Sequence, residues 1–287
     1  MLINAAEPRR LGTPDAGTPR LRFETETRTT ATGTFPTRRL IKIDGEPAFE
    51  LGVWCGSCSF LFERLEGSRE TLSLEEVQDR LTGTLTDADD EDLLRAFGEV
   101  LPEGQYLPLL LHIEPRLAVP GSEGDYFSEE QVATWGVSQF WGIAESPRTP
   151  YYRTFETEID ASAHLYEFVV PMVPPTWNDE ERVEEYVELM GRGTIPTAVA
   201  VSTFGVFEPA VSPPDNDQYA HWCLTHFLLD GHHKLEAAAR AGRPIRLLSL
   251  LALDEVLATP EEWARLPELR SRPRTPRPAR CARRVRD

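Results

Sequence analysis

Cysteine is scarce in this chain. Four cysteines in 287 residues do not make a disulfide scaffold, and one of them, Cys281, lies in an arginine-rich end, so the thiols are expected to be reduced. Long apolar runs are missing as well. Stretches such as residues 107–113 and 247–253 fall far short of the roughly 20 apolar residues that a spanning helix needs, and the opening MLINAAEPRR has no apolar signal core. The expectation is a cytoplasmic chain that makes no use of a membrane. Gly-x-Ser-x-Gly, Walker A and dinucleotide fingerprints are all absent, so those three routes to hydrolase, P-loop and Rossmann chemistry are not signalled.

Positive charge is also in short supply. Lys and Arg number 30 against 47 Asp and Glu, a net charge of −17. The imbalance is uneven, because residues 270–287 hold eight arginines and one aspartate, which leaves 22 basic and 46 acidic groups, or −24, on the first 269 residues. A body of that sign repels nucleic acid. The segment RSRPRTPRPARCARRVRD could touch RNA, DNA or an acidic surface, yet its Pro-rich composition without core residues reads first as a solvated tail.

What remains is the composition of a globular chain, 40% hydrophobic and long enough for one large or two modest domains. Residues 1–20 are rich in Pro, Gly and Thr and are expected to be mobile. From 21 to 160 the pattern predicts a mixed β/helical domain. It has a strand over 20–30, a strand pair over 39–43 and 48–53 joined by an Asp44-Gly45 turn, and amphipathic helices over 73–81 and 89–100. A second domain is expected over 161–257 and a basic tail over 258–287. The overall class is α+β.

The most informative residues are Asp230-Gly231-His232-His233-Lys234, placed where the apolar strand 224–229 hands over to a helix beginning LEAAARAG. Glycine lets the backbone bend there and leaves the first N–H groups of the helix free, which makes an anion site. Two histidines and a lysine at a helix N-terminus oppose the helix dipole, so something negative should compensate them. Lys234, in the first turn of the helix, is not expected to be a core residue.

The order helix (ERVEEYVELMGRG), strand (TAVAVSTFGV), strand (HWCLTHFLLD), DGHHK turn, helix and strand (RPIRLLSLLAL) resembles the ParB/sulfiredoxin-like fold. The turn itself is similar to that of ParB-like free-serine kinases. The resemblance covers about a quarter of the chain, residues 181–253. It implies that the turn holds nucleotide phosphates, with ATP or ADP and Mg²⁺ as cofactors. Gly231, His232 and Lys234 would hold the phosphates, Asp230 would orient a metal or a hydroxyl, and His232 or His233 would give protonic or electrostatic help. It also implies a carboxylate base, for which Asp179, Glu180 and Glu167 are the candidates by position. Two departures stand out. Lys234 replaces an arginine, turning a bidentate fork into a point charge, and the run EPAVSPPDNDQY interrupts the strand pair.

Cys55 and Cys58, in WCGSC, match three readings: a zinc turn completed by histidines or Cys223 elsewhere, a redox pair, or two inert half-buried thiols. His226 reads as a hydrogen-bonded core histidine, and Trp135, Phe140 and Trp141 as core fillers rather than cleft walls. The function expected is a small-molecule enzyme that binds a phosphorylated ligand at the DGHHK turn, a kinase-like transferase by resemblance. Two alternatives stay open: an enzyme acting on a phosphate- or sulfate-bearing substrate without a nucleotide, and a regulatory binding module using a Cys-based metal turn and the basic tail.

Overall fold

The computed structural model describes residues 1–12, 19–30, 33–52, 61–131, 146–208 and 219–276. Two sheets organise them. The small one pairs β3 (Leu21–Thr30), β4 (Gly33–Ile43), β5 (Glu46–Leu51) and β6 (Phe62–Arg64) in that order, all antiparallel. Asp44 and Gly45, both with positive φ, form the two-residue turn between β4 and β5, the conformation that Asp-Gly favours in a tight hairpin.

The large sheet has nine strands. Along it run β1 (Leu2–Ala5), β7 (Gly104–Ile113), β13 (Ile245–Ala252), β11 (Thr197–Phe207), β12 (Ala220–Asp230), β10 (Ala163–Pro171), β9 (Tyr151–Asp160) and β8 (Arg116–Ala118). The ninth strand, β2 (Arg9–Leu11), also pairs with β7. Its pairs are antiparallel except β10 with β12 and β11 with β13, which run parallel. The chain is therefore α+β, as its composition and periodicity predict.

Alternation along the central strands sends side chains to two cores. Leu110, Val199, Val201, Phe227, Leu248 and Leu250 face one way, where Phe49 and Phe62 of the small sheet and Leu93 and Phe97 of α2 (Glu91–Gly98) meet them. Leu109, Leu111, Ala198, Ala200, Leu224 and Leu247 face the other way. Three helices cover them: α3 (Glu180–Gly191), α4 (His232–Ala241) and α6 (Leu266–Ser271). A strand buried on both faces favours apolar residues on both, which is why β10 and β12 are rich in them, with the buried His164, Glu167, His221, Thr225 and His226 as the polar exceptions inside the sheet.

Three expectations about organisation change. Residues 2–5 and 9–11 are strands of the large sheet, tied by register to β7, although their Pro-rich setting reads as mobile. A boundary at 160/161 would cut the β9–β10 hairpin, and β7, β8 and β9 share one sheet with β10 to β13, so the large sheet spans both expected domains. The basic tail set at 258–287 contains α5 (Pro260–Trp263), opened by a capping box between Thr259 and Glu262, and α6, whose Leu266 and Leu269 are buried in the helix-side core. Composition hid these elements because two leucines three apart suffice to dock a short helix among arginines and prolines.

Candidate functional site

Strand β12 ends at Asp230, and the chain turns through Gly231 at φ 101° into α4. Only glycine suits this point on two counts: φ is left-handed, and a Cβ would lie 2.7 Å from the Cβ of Ala198 on the neighbouring β11. Gly231 offers no side-chain cap, and the first intrahelical bond runs from Leu235 N–H to Gly231 C=O at 2.8 Å. The N–H groups of His232, His233 and Lys234 therefore have no acceptor inside the helix.

These residues form one wall of a cleft of about 380 Å³. The facing wall comes from Thr71, Ser73, Glu75 and Gln78, on a segment anchored by Leu72 N–H donating to Leu229 C=O at 3.1 Å. The third side comprises Val173, Trp177, Asn178, Arg182 and Tyr186, from the Pro175–Trp177 turn and α3. All five residues of the DGHHK turn thus line one cleft.

Within the turn the side chains are largely committed. Lys234, buried rather than superficial, donates to Thr197 C=O at 3.1 Å and to Asp230 Oδ1 at 3.2 Å. Its burial follows from the close approach of α4 to β11 that Gly231 permits. The other Asp230 oxygen accepts from Gln78 Nε2 at 2.5 Å. With both oxygens engaged, Asp230 holds the turn together and has little left for the metal or hydroxyl that the resemblance gave it.

The two histidines differ. His232 Nε2 accepts the Met172 N–H at 3.0 Å, so in the neutral ring the proton resides on Nδ1, a buried atom with no partner among the described residues. Burial lowers its pKa to about 4, which keeps the ring neutral and an N–H donor at physiological pH. His233 Nε2 accepts the Asp179 N–H at 3.1 Å, and its pKa is lowered by partial burial and then by the charge of Arg182. Neither ring has Nε2 free for proton transfer.

Sequence reasoning missed Arg182, Glu75, Gln78 and Trp177. Arg182 is the one basic residue in NDEERVEEYVELM, a helix read as a solvated acidic face. No carboxylate forms an ion pair with it among the described residues, and it supplies the guanidinium fork that Lys234 lacks. The carboxylates expected as bases are otherwise occupied. Asp179 caps α3, Glu180 pairs with Arg240, and Glu167 is buried in the sheet against Arg270. Glu75 is the cleft carboxylate with no hydrogen-bond or ion-pair partner among the described residues.

Cys55, Cys58, Trp135, Phe140, Trp141 and Cys281 lie outside the described residues. Among the described residues no group of three or more His, Cys, Asp or Glu is placed to hold a metal ion, and no helix is long and apolar enough to cross a membrane. His226 is a core residue, its Nδ1 2.6 Å from Ser202 Oγ. Comparison of the chain with protein-family models, with curated proteins and with solved structures finds no match.

Proposed function

We propose that the cleft at the start of α4 binds a phosphate-bearing small molecule. One observation carries this reading: the donors at the turn lack acceptors. The residues that carry the uncapped N–H groups of α4 and the guanidinium of Arg182 line one cleft, and beneath them the buried Nδ1 of His232 has no partner among the described residues. Unpaired donors at the positive end of a helix dipole favour an anion with several acceptor oxygens, bound on the α4 side of the cleft and away from the Glu75 carboxylate. Lys234 and Asp230 neutralise one another and act as the brace of the turn.

The resemblance of DGHHK to the ParB-like kinases extends the reading to nucleotide-dependent phosphotransfer within a ParB/sulfiredoxin-like module. In that scheme the donors take up charge developing on the transferred phosphoryl group, while the acceptor hydroxyl gives its proton to Glu75 as its oxygen bonds to phosphorus and the nucleotide diphosphate leaves. Asp230, which the resemblance offers for Mg²⁺, does not fit that role, since both its oxygens are committed to Gln78 and Lys234. The test is thermal unfolding with inorganic phosphate, sulfate, pyrophosphate, ADP and ATP. A ligand at about 100 times its Kd stabilises by roughly 2.7 kcal/mol, an easily read rise in Tm. If no phosphorylated compound raises Tm, the reading is wrong; a rise with sulfate and phosphate but not nucleotides favours the nucleotide-free enzyme.

A further inference from the structure

Trp177 is the single aromatic side chain among the large hydrophobic residues left exposed in the described structure, at 58%. Isolated exposed apolar residues need no explanation, but this one borders the cleft. The backbone that carries it is held firmly. The Pro175–Trp177 turn is closed by Trp177 N–H donating to Pro174 C=O at 2.9 Å and Asn178 N–H to Pro175 C=O at 3.0 Å, with two prolines fixing φ. Asn178 then donates to Glu236 Oε2 at 2.5 Å and to the C=O of His232 at 3.4 Å, so the turn is pinned to the same helix whose N-terminus forms the anion wall. The guanidinium of Arg64, which does not line the cleft, sits 5.7 Å from the ring centroid.

We infer that Trp177 is a stacking platform and that the ligand is a phosphate ester carrying a flat heteroaromatic ring, as a nucleotide does, with the ring on the indole and the phosphates at α4. This rests on the phosphate reading of the cleft and adds the other half of the ligand. A cleft of about 380 Å³ exceeds what a lone phosphate requires and falls in the range of small-molecule sites. An indole carried on a braced turn has two side-chain torsions to order on stacking, and any ring with a π-face will serve, so the platform selects for planarity rather than for one base.

Calorimetric titration of ADP and of pyrophosphate into wild type, Trp177→Ala and Trp177→Phe tests this. Base-on-aromatic stacking accounts for a factor of about 5 to 150 in affinity. ADP should therefore bind wild type at least fivefold more tightly than pyrophosphate. Trp177→Ala should lose that advantage while its pyrophosphate affinity stays within about twofold, and Trp177→Phe should recover most of it. Equal loss of both ligands in Trp177→Ala, or no loss of either, overturns the platform and leaves the phosphate site standing. Failure of both ligands to bind wild type removes the phosphate site and the platform together.

Discussion

Nε of Arg270, on helix α6, lies 2.5 Å from Oε2 of Glu167, at the centre of strand β10, and both side chains are wholly buried. Thr154 Oγ1 donates to the other Glu167 oxygen at 2.6 Å, and the Arg270 guanidinium stands 4.1 Å from the ring centroid of Phe155. Burial alone would raise the Glu167 pKa, but the guanidinium beside it, with help from His226 and Thr154, outweighs burial and holds it at about 2. The contact turns the C-terminal segment from an appendage into part of the helix-side core.

Arg270→Leu should accordingly be far more damaging than an exposed arginine substitution. It leaves a carboxylate buried without its cation, a loss of about 3–5 kcal/mol, whereas Glu167→Gln combined with Arg270→Leu should recover much of it. Urea unfolding of the three variants measures this. The wild-type pair contributes above the unfolded carboxyl pKa of about 4.3, and its contribution fades as pH falls toward 2. Equal stability of wild type and Arg270→Leu at pH 7 would mean that α6 does not dock this way in solution.

His232 should make the fold acid-sensitive. Its folded pKa of about 4 lies below the ordinary histidine value of 6.5, so the unfolded chain binds the proton more readily. Stability is full above pH 6.5 and declines as pH falls toward 4, by roughly 3 kcal/mol from this group. Gln at 232 can still accept the Met172 N–H through its side-chain oxygen but does not titrate. Chemical denaturation at pH 7.5 and pH 4.5 should show His232→Gln losing less stability across that interval than wild type.

The turn was legible in sequence because two periodicities meet at a glycine, and the Asp44-Gly45 hairpin and α2 were legible for the same local reasons. What surrounds the turn was not. Gln78 reaches Asp230 across 152 residues and Arg182 reaches the cleft from a helix whose composition reads as solvent-facing, so only the packing of α3 and the 71–78 segment brings them in. Burial of Lys234 depends on Thr197, 37 residues upstream. The docking of α6 depends on Glu167, whose setting in a run of Tyr, Phe and Val reads as strand without saying what charge it awaits. Local chemistry announced the bend; long-range partners decided which side chains stayed free to act.

Gly231→Ala puts a methyl group at left-handed φ, 2.7 Å from Ala198 Cβ. Strain of that kind costs about 1–3 kcal/mol, and relief requires α4 to shift away from β11. The variant should melt several degrees lower and, because the helix N-terminus moves, lose affinity for pyrophosphate as well. Normal stability together with normal binding would show that the turn tolerates the displacement and does not set the site.

Lys234 and Arg182 should separate bracing from binding. Removing the Lys234 ammonium strands Asp230 in a buried position with Gln78 as its remaining partner, so Lys234→Ala should cost about 3 kcal/mol or more and lower Tm visibly. Arg182 is exposed, lines the cleft and has no carboxylate partner among the described residues, so Arg182→Ala should leave Tm unchanged. Its effect should fall on the ligand, with pyrophosphate affinity reduced about tenfold or more by loss of a bidentate, charge-assisted contact. Arg182→Lys should restore only part of that affinity, since a point charge replaces a planar fork. The same pair of measurements, melting and calorimetric titration, reads both residues. Should Lys234→Ala melt like wild type while Arg182→Ala binds like wild type, the lysine would have to be taken as the ligand-facing cation and the arginine as a bystander.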